Sequence, residues 1–180
     1  MTVTPKALAG FSKFLYEKDI EGKFASHKYK LEIRLPKGDE AIEAFVKNIR
    51  AQHKDAGNNK YMPVKDGDKI ESKSDKRLEF AAGHYLMTFK STRPPTCVDT
   101  KKQPLTGQVD GGDVVKISFN AKPYDAFGGG LALYLNAVQL IEKRGGGGVS
   151  EFDDDEEGFV ETGTAKPAAE VVEAAGDGDF

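Results

Sequence analysis

Residues 28–35, Lys28-Tyr29-Lys30-Leu31-Glu32-Ile33-Arg34-Leu35, alternate polar and apolar positions without a break. Tyr29, Leu31, Ile33 and Leu35 fall on one side and the charged residues on the other, which predicts a strand with one buried face. Pro36-Lys37-Gly38 ends it. Asp39 then stands where a helix N-cap belongs, and Glu40 suits the positive end of the helix dipole. Ile42, Phe45, Val46 and Ile49 follow at i, i+3, i+4 and i+7, an apolar stripe that predicts a helix over 39–55 with Gly57 as its stop.

From Asn58 to Arg77 the chain is polar and charged, the pattern of a long loop. Alternation resumes at His84–Ser91, where Tyr85, Met87 and Phe89 interleave with His84, Thr88 and Lys90. Thr96–Thr100 and Leu105–Val109 flank Lys101-Lys102-Gln103-Pro104 and predict a hairpin. After Gly111-Gly112-Asp113, Val115, Ile117 and Phe119 alternate with Lys116, Ser118 and Asn120 in a strand over 114–121. Leu131–Glu142 is apolar on both faces, which suits a central barrel strand or a buried helix, and periodicity alone does not choose. Several short strands, one helix and Gly-rich corners predict a mostly β fold, a five-stranded Greek-key barrel of the oligonucleotide-binding (OB) type.

Charge divides the chain in two. Residues 1–144 hold 25 Lys+Arg and 18 Asp+Glu, a net of +7, whereas 145–180 hold Lys166 against 11 acids, a net of −10. The overall value of −3 over 180 residues is therefore a cancellation. Gly145–Gly148 has the composition of a flexible linker. The acidic segment beyond it has too few large apolar residues to offset its ordering entropy, and it is expected to be disordered, with at most a transient helical turn at Ala168–Ala175. The organisation expected is a domain over 1–144 and a linker with an acidic tail over 145–180. No stretch approaches the roughly 20 apolar residues that span a bilayer, and no signal-peptide run opens the chain. Cys97 stands alone, as fits a reducing compartment.

The motifs of phosphate loops, zinc hydrolases, serine hydrolases and paired-cysteine metal sites are absent, so neither catalytic residues nor cofactors are expected. His27, His53 and His84 lack ligand spacing, and Asp66-Gly67-Asp68 and Asp153-Asp154-Asp155 read better as solvated turn and tail than as cation sites. What the body does supply is cations on strand faces and rings at corners, the two requirements for sequence-tolerant binding of a single strand. The candidates are Lys30, Arg34, Lys90, Lys116 and Lys122, with Tyr124 and Phe127 at the corner between two strands. Each lysine taken singly is also what any solvated strand face carries, and Tyr124 is as well explained by corner packing as by stacking. Tyr29, Tyr85, Phe89 and Phe119 lie on apolar faces and are assigned to the core. A tether with ten net negative charges beside a basic groove competes with phosphates for it. Asp153, Asp154, Asp155, Glu156, Glu157, Asp177, Asp179 and the terminal Phe180 are its candidate partner-binding residues.

Taken in order, Tyr29-Lys30-Leu31-Glu32-Ile33-Arg34-Leu35-Pro36, Tyr61-Met62-Pro63-Val64-Lys65-Asp66-Gly67-Asp68, Phe89-Lys90, Pro123-Tyr124, the glycine linker, Glu157-Gly158-Phe159-Val160, Gly163-Thr164-Ala165-Lys166 and Asp177-Gly178-Asp179-Phe180 resemble the single-stranded DNA-binding protein of T7-like bacteriophages. The resemblance implies an OB fold, a homodimer, and a non-enzymatic part in phage DNA replication, recombination and repair in the cytoplasm of the infected bacterium. It implies strand contacts at Lys90, Lys116 and Tyr124. It also implies an acidic tail that contacts the phage DNA polymerase and helicase–primase and covers the groove when DNA is absent. Residues 19–28 do not align with the family's basic segment, so no contact is transferred there, and Lys166-Pro167-Ala168-Ala169 dilutes the tail's acidity. The function expected is binding of single-stranded DNA, removal of its secondary structure and assistance to annealing. An RNA-binding or RNA-annealing barrel, and an acidic-tailed regulatory protein that never touches nucleic acid, are the alternatives.

Overall fold

A computed structural model describes residues 1–20, 22–23, 25–56, 60–71 and 79–144. Gly57, the glycine linker and the acidic tail, with the disorder, the helical turn and the partner-binding residues expected there, lie outside the described residues.

Eight strands form one sheet: β1 Thr2–Val3, β2 Ala7–Ala9, β3 Tyr29–Pro36, β4 Val64–Asp66, β5 His84–Ser91, β6 Thr96–Val98, β7 Val114–Tyr124 and β8 Gly130–Glu142. Five of them close a ring in the order β2–β3–β5–β8–β7–β2. Every neighbour in the ring is antiparallel except β5 and β8, which meet in parallel at Lys90 and Tyr134. Counting only ring strands, the path is first–second–third–fifth–fourth–first, a Greek-key closure, and the fold is the OB barrel. Strands β1, β4 and β6 add to the ring from outside, against β7, β5 and β8.

The barrel interior follows from the alternation. Leu31, Ile33 and Leu35 of β3 are fully buried, as are Phe89 of β5 and Ile117 and Phe119 of β7. Phe119 is the hub, edge-to-face with Phe89 at 5.0 Å and with Phe45 of the main helix at 6.1 Å. That helix, α2 Glu40–Asp55, begins where expected: the Asp39 carboxylate accepts from the Ile42 N–H at 3.0 Å. Its stripe of Ile42, Val46 and Ile49 is buried in the barrel core, and His53 prolongs it by one turn. Tyr29, assigned to the core from its apolar face, is half-exposed, with the Lys18 ammonium 5.9 Å from its ring.

Several expectations need correction. Besides α2, the described residues include the single-turn helix α1 Lys13–Tyr16, which buries Leu15, and helical backbone at 79–81. The loop expected from Asn58 contains β4, which has no visible period because it buries one side chain, Val64, followed by the charged Lys65 and Asp66. β1 and β2 were also invisible: Ala7 and Ala9 are too small to mark a period. Smallness is what that edge requires, since a Cβ on Gly10 would lie 2.8 Å from the Glu32 carbonyl oxygen. Between them Thr4 substitutes for strand pairing, its N–H donating to the Ile117 carbonyl at 2.9 Å and its hydroxyl oxygen accepting from the Ile117 N–H at 3.0 Å.

The hairpin over 96–109 does not form as such. β6 pairs with β8, and Leu105–Val109 is not a strand. Only the bridge between Val98 and Pro104 remains of the ladder. Its bonds run from the Leu105 N–H to the Cys97 carbonyl and from the Asp99 N–H to the Gln103 carbonyl, 2.9 Å each, and the Asp99 carboxylate takes the N–H groups of Lys101 and Gln103, at 2.8 and 2.9 Å, closing a turn instead of extending the ladder. Conversely, Leu131–Glu142 is the strand β8 rather than a helix. Its twofold pattern is concealed by a register shift opposite Ser118 and Phe119, which pair with Ala137 and Leu135. Leu131, Leu133 and Leu135 point inward before the shift and Val138 after it. Among the described residues no helix is long and apolar enough to cross a membrane.

Two polar nodes hold the connections. Asp113, fully buried, accepts from the Arg144 and Asp110 N–H groups at 2.7 and 2.8 Å and binds the Lys143 ammonium at 3.1 Å, tying the end of β8 to the turn before β7. On the opposite side of the chain order, Lys37 bridges Asp66 and Asp68, while Asp68 accepts from the Gly83 N–H at 2.6 Å. Between these two aspartates sits Gly67, where a Cβ would fall 1.9 Å from the Ala81 carbonyl oxygen and 2.6 Å from that of His84. Nothing larger fits without moving backbone.

Gly67→Ala is therefore expected to cost at least about 2 kcal/mol in urea unfolding. Gly107→Ala, whose Cβ meets nothing within 4 Å, should stay within roughly 0.5 kcal/mol. Equal losses at the two sites would refute the close-approach argument. Hydrogen bonding from Lys37 holds the Asp66 carboxyl below the usual aspartate range, and the Gly83 N–H with Lys37 does the same for Asp68. Groups depressed in the folded state stabilise it above their unfolded value, near pH 4, and lose that contribution as pH falls through the folded one. Thermal melting of the Asp66→Asn/Asp68→Asn variant should accordingly depend less on pH below about 4 than that of the parent; parallel curves would show that the node does not respond to acid.

Candidate nucleic-acid interface

The second and third strands of the ring, β3 and β5, pair along their whole length from Tyr29–Ser91 to Pro36–His84. Their inward faces make the core, so Lys30, Arg34, Thr88 and Lys90 must face out. Register then sets Lys30 directly opposite Lys90, and β8 sets Tyr134 beside Lys90 on the far side. β4 contributes Lys65, paired with Leu86. Two like charges facing each other across a ladder oppose the pairing by roughly 0.2–1 kcal/mol. The strand pair accepts that cost and offsets only half of it: the buried Asp19 binds the Lys30 ammonium at 2.8 Å.

Asp19 is itself held by the Ser26 hydroxyl and N–H at 3.0 and 3.2 Å, and Lys30 is the first cause of its lowered carboxyl pKa. Among the described residues Lys28, Lys65 and Lys90 make no ion pair. Lys90 is exposed, but the protein around its ammonium partly desolvates it and lowers its pKa, and Lys28, Lys30 and Lys65 lower it further, with Asp19 opposing. An anion here would relieve the repulsion.

These lysines line a groove of about 600 Å³ whose other wall is aromatic: Tyr61, Tyr124, Phe127 and Tyr134. Tyr124 ends β7 opposite Gly130, where a Cβ would come within 2.9 Å of the phenol oxygen, so the ring lies on the glycine. Packing and groove lining are thus both true of Tyr124. Phe127 occupies the tip of the β7–β8 connection in the left-handed region, φ 57°, with its side chain 89% exposed. A bulky residue in that conformation is strained and rare, and Gly128 and Gly129 beside it also have positive φ. Residues 60–61 brace this tip through N–H bonds from Lys60 to the Gly128 carbonyl, 3.2 Å, and from Tyr61 to that of Gly129, 3.3 Å.

Of the residues singled out in the sequence, the groove brings together Lys30, Lys90, Tyr124 and Phe127. Lys122 shares the outer face of β7 with Tyr124 but stands opposite Ala132 and does not line the groove. Lys116 lies farther along β7, opposite Gln139, and is also outside it. Arg34 lines an adjoining cleft, its guanidinium 5.1 Å from the Phe80 ring and donating to the Ala9 carbonyl at 3.2 Å. Sequence reasoning missed Lys65, Tyr61 and Tyr134 as groove residues. The first two lie in a segment that looked like loop, and the third in the strand whose period the bulge conceals. Among the described residues no group of His, Cys, Asp and Glu is placed to hold a metal ion.

The groove lies where OB folds commonly take oligonucleotides, on the face of ring strands two and three with the loop between strands four and five. Known structures share the fold. The single-stranded DNA-binding protein of bacteriophage Enc34 in complex with ssDNA superposes with a TM-score of 0.62 at 15% identity, covering 81% of this chain and 88% of that one. Its C-terminal truncation gives 0.60 at 16% identity, with 79% and 86% covered. The gp2.5 single-stranded DNA-binding protein of bacteriophage T7 gives 0.61 at 17% identity, with 86% and 97% covered. No curated protein matches the chain. A family model described as the ssDNA-binding protein of Enterobacter phage Enc34 matches residues 2–166, and by that match the chain belongs to the Enc34 ssDNA-binding protein family.

Proposed function

We propose that this protein binds single-stranded DNA without strong sequence preference through the β3–β5 groove, and that it acts by sequestration rather than catalysis. The observation that carries the reading is the meeting of unpaired Lys28, Lys65 and Lys90 with Tyr61, Tyr124, Phe127 and Tyr134 in one groove. Lysines follow phosphates and rings stack bases, at about 1–3 kcal/mol per base, with no demand on which base is stacked. Holding a strand in this way removes its secondary structure and presents it for annealing.

In this reading the activity serves replication, recombination and repair of phage DNA in the bacterial cytoplasm, a role that membership of a phage ssDNA-binding family supports. In this reading residues 1–144 are the DNA-binding body, working as a homodimer, and 145–180 the linker and acidic tail. The tail recruits the phage polymerase and helicase–primase and competes with DNA for the groove, because its net charge of −10 is drawn to the same cations. Lys116 and Lys122, outside the groove, extend the positive field along β7 rather than touching stacked bases.

Affinity for a fluorescent oligo-dT should fall steeply with salt, and a flat response would overturn the electrostatic account. Lys90→Ala should reduce the slope of log affinity against log salt by about 0.7, whereas Tyr124→Ala should lose about 1–3 kcal/mol at unchanged slope. Deletion of 145–180 should raise affinity at low salt more than at high salt and abolish stimulation of polymerase or helicase. Equal or weaker binding by the truncated chain would eliminate the competition.

A further inference from the structure

The cleft that holds Arg34 has a volume of about 1110 Å³ and is continuous with the groove, sharing Lys30, Leu86 and Thr88 with it. Its walls carry three phenylalanines. Phe11 and Phe80 are 69% and 60% exposed, far more than large apolar rings in a single domain ordinarily are. Phe14 meets Phe11 edge-to-face at 5.8 Å, with the Lys30 ammonium 4.5 Å from its centre, while Arg34 stands over Phe80. Rings beside cations are the furniture of a single-strand site, and this set prolongs the groove across β3.

Two carboxylates in this cleft do not fit a phosphate track, Glu79 beside Phe80 and Glu32. Glu32 lines the cleft between Lys30 and Arg34 on the same face of β3, opposite Thr88. Its carboxylate makes no hydrogen bond or ion pair among the described residues. A free carboxylate repels phosphate, but it accepts well from the exocyclic amino group of a base. Cytosine offers N4–H₂, the standard partner of Glu and Asp in base recognition. Thymine offers only N3–H, set between two carbonyl oxygens that the carboxylate repels.

We infer that the Phe11–Phe80 cleft is a base-reading subsite in which the rings stack bases, Arg34 holds a flanking phosphate, and Glu32 accepts from the exocyclic amino group that cytosine carries and thymine lacks. Bound strands are then not chosen indifferently: at this end of the path cytosine is preferred to thymine. The inference rests on the single-stranded DNA reading and adds a base preference to it. A deoxynucleotide strand is the occupant because the cleft is continuous with the lysine groove and pairs its rings with cations.

The test is a titration of the full-length protein with oligo-dC and oligo-dT of equal length at one salt concentration and pH 8, where cytosine is unprotonated. Oligo-dC is expected to bind at least about fivefold more tightly. Glu32→Gln should bring the ratio close to one, since its amide can turn to serve either base. Phe11→Ala/Phe80→Ala should weaken both complexes about tenfold. A wild-type ratio near one overturns the inference. So does a Glu32→Gln protein that gains affinity for both oligomers equally, the signature of a removed negative charge. If the double phenylalanine variant keeps both affinities but changes its sedimentation, the cleft is a contact between copies and not a base site. Failure of the wild type to bind either oligomer at low salt would remove the single-stranded DNA reading itself, a different result from equal binding of both.

Discussion

A five-stranded ring closes only if its third and fifth strands meet, and here they meet in parallel at one pair, Lys90 with Tyr134. The rest of each edge is taken by other strands: β4 continues along β5, and β6 along β8. Closure therefore puts a cation and a ring side by side on the outer face, at the point where sheet hydrogen bonding is thinnest. The groove is built around that point. Lys30 enters it from β3 by register, Lys65 from β4, and Tyr124 from the end of β7. What makes the barrel a barrel also brings together the residues of the candidate groove.

The electrostatics carry the same economy. A sheet face with Lys30 opposite Lys90 is less stable than one with opposite charges. Asp19 relieves Lys30 and at the same time orders the loop before β3 through Ser26, so one carboxylate serves both stability and shape. Lys90, though exposed, has its ammonium disfavoured by partial desolvation and by its lysine neighbours. In the Lys37 node the balance is the reverse: two aspartates share one lysine, the charges are satisfied, and the node joins connections rather than binding anything.

How much of this was legible in the chain depended on side-chain size and phase. α2 was legible because Asp39 caps it and Ile42, Val46 and Ile49 repeat at the right interval. β3 and β5 were legible because large apolar residues mark one face. Lys30, Lys90 and Tyr124 followed from that alternation and from the corner at Pro123. β2 was not legible, since the ring closes there on Ala7, Ala9 and Gly10, chosen for their lack of bulk. Tyr61 and Lys65 reach the groove through pairing with the hairpin tip and with β5, contacts between segments remote in sequence. Phe11 and Phe80 join the adjoining cleft for the same reason. Long-range register, not local pattern, decided those positions.

The bulge in β8 has a bearing on how such a family drifts. Past Leu135 the strand changes which parity faces the core, and Asn136 is the residue that absorbs the change. A strand that already contains a phase step tolerates gain or loss of a residue at the step without turning its interior outward.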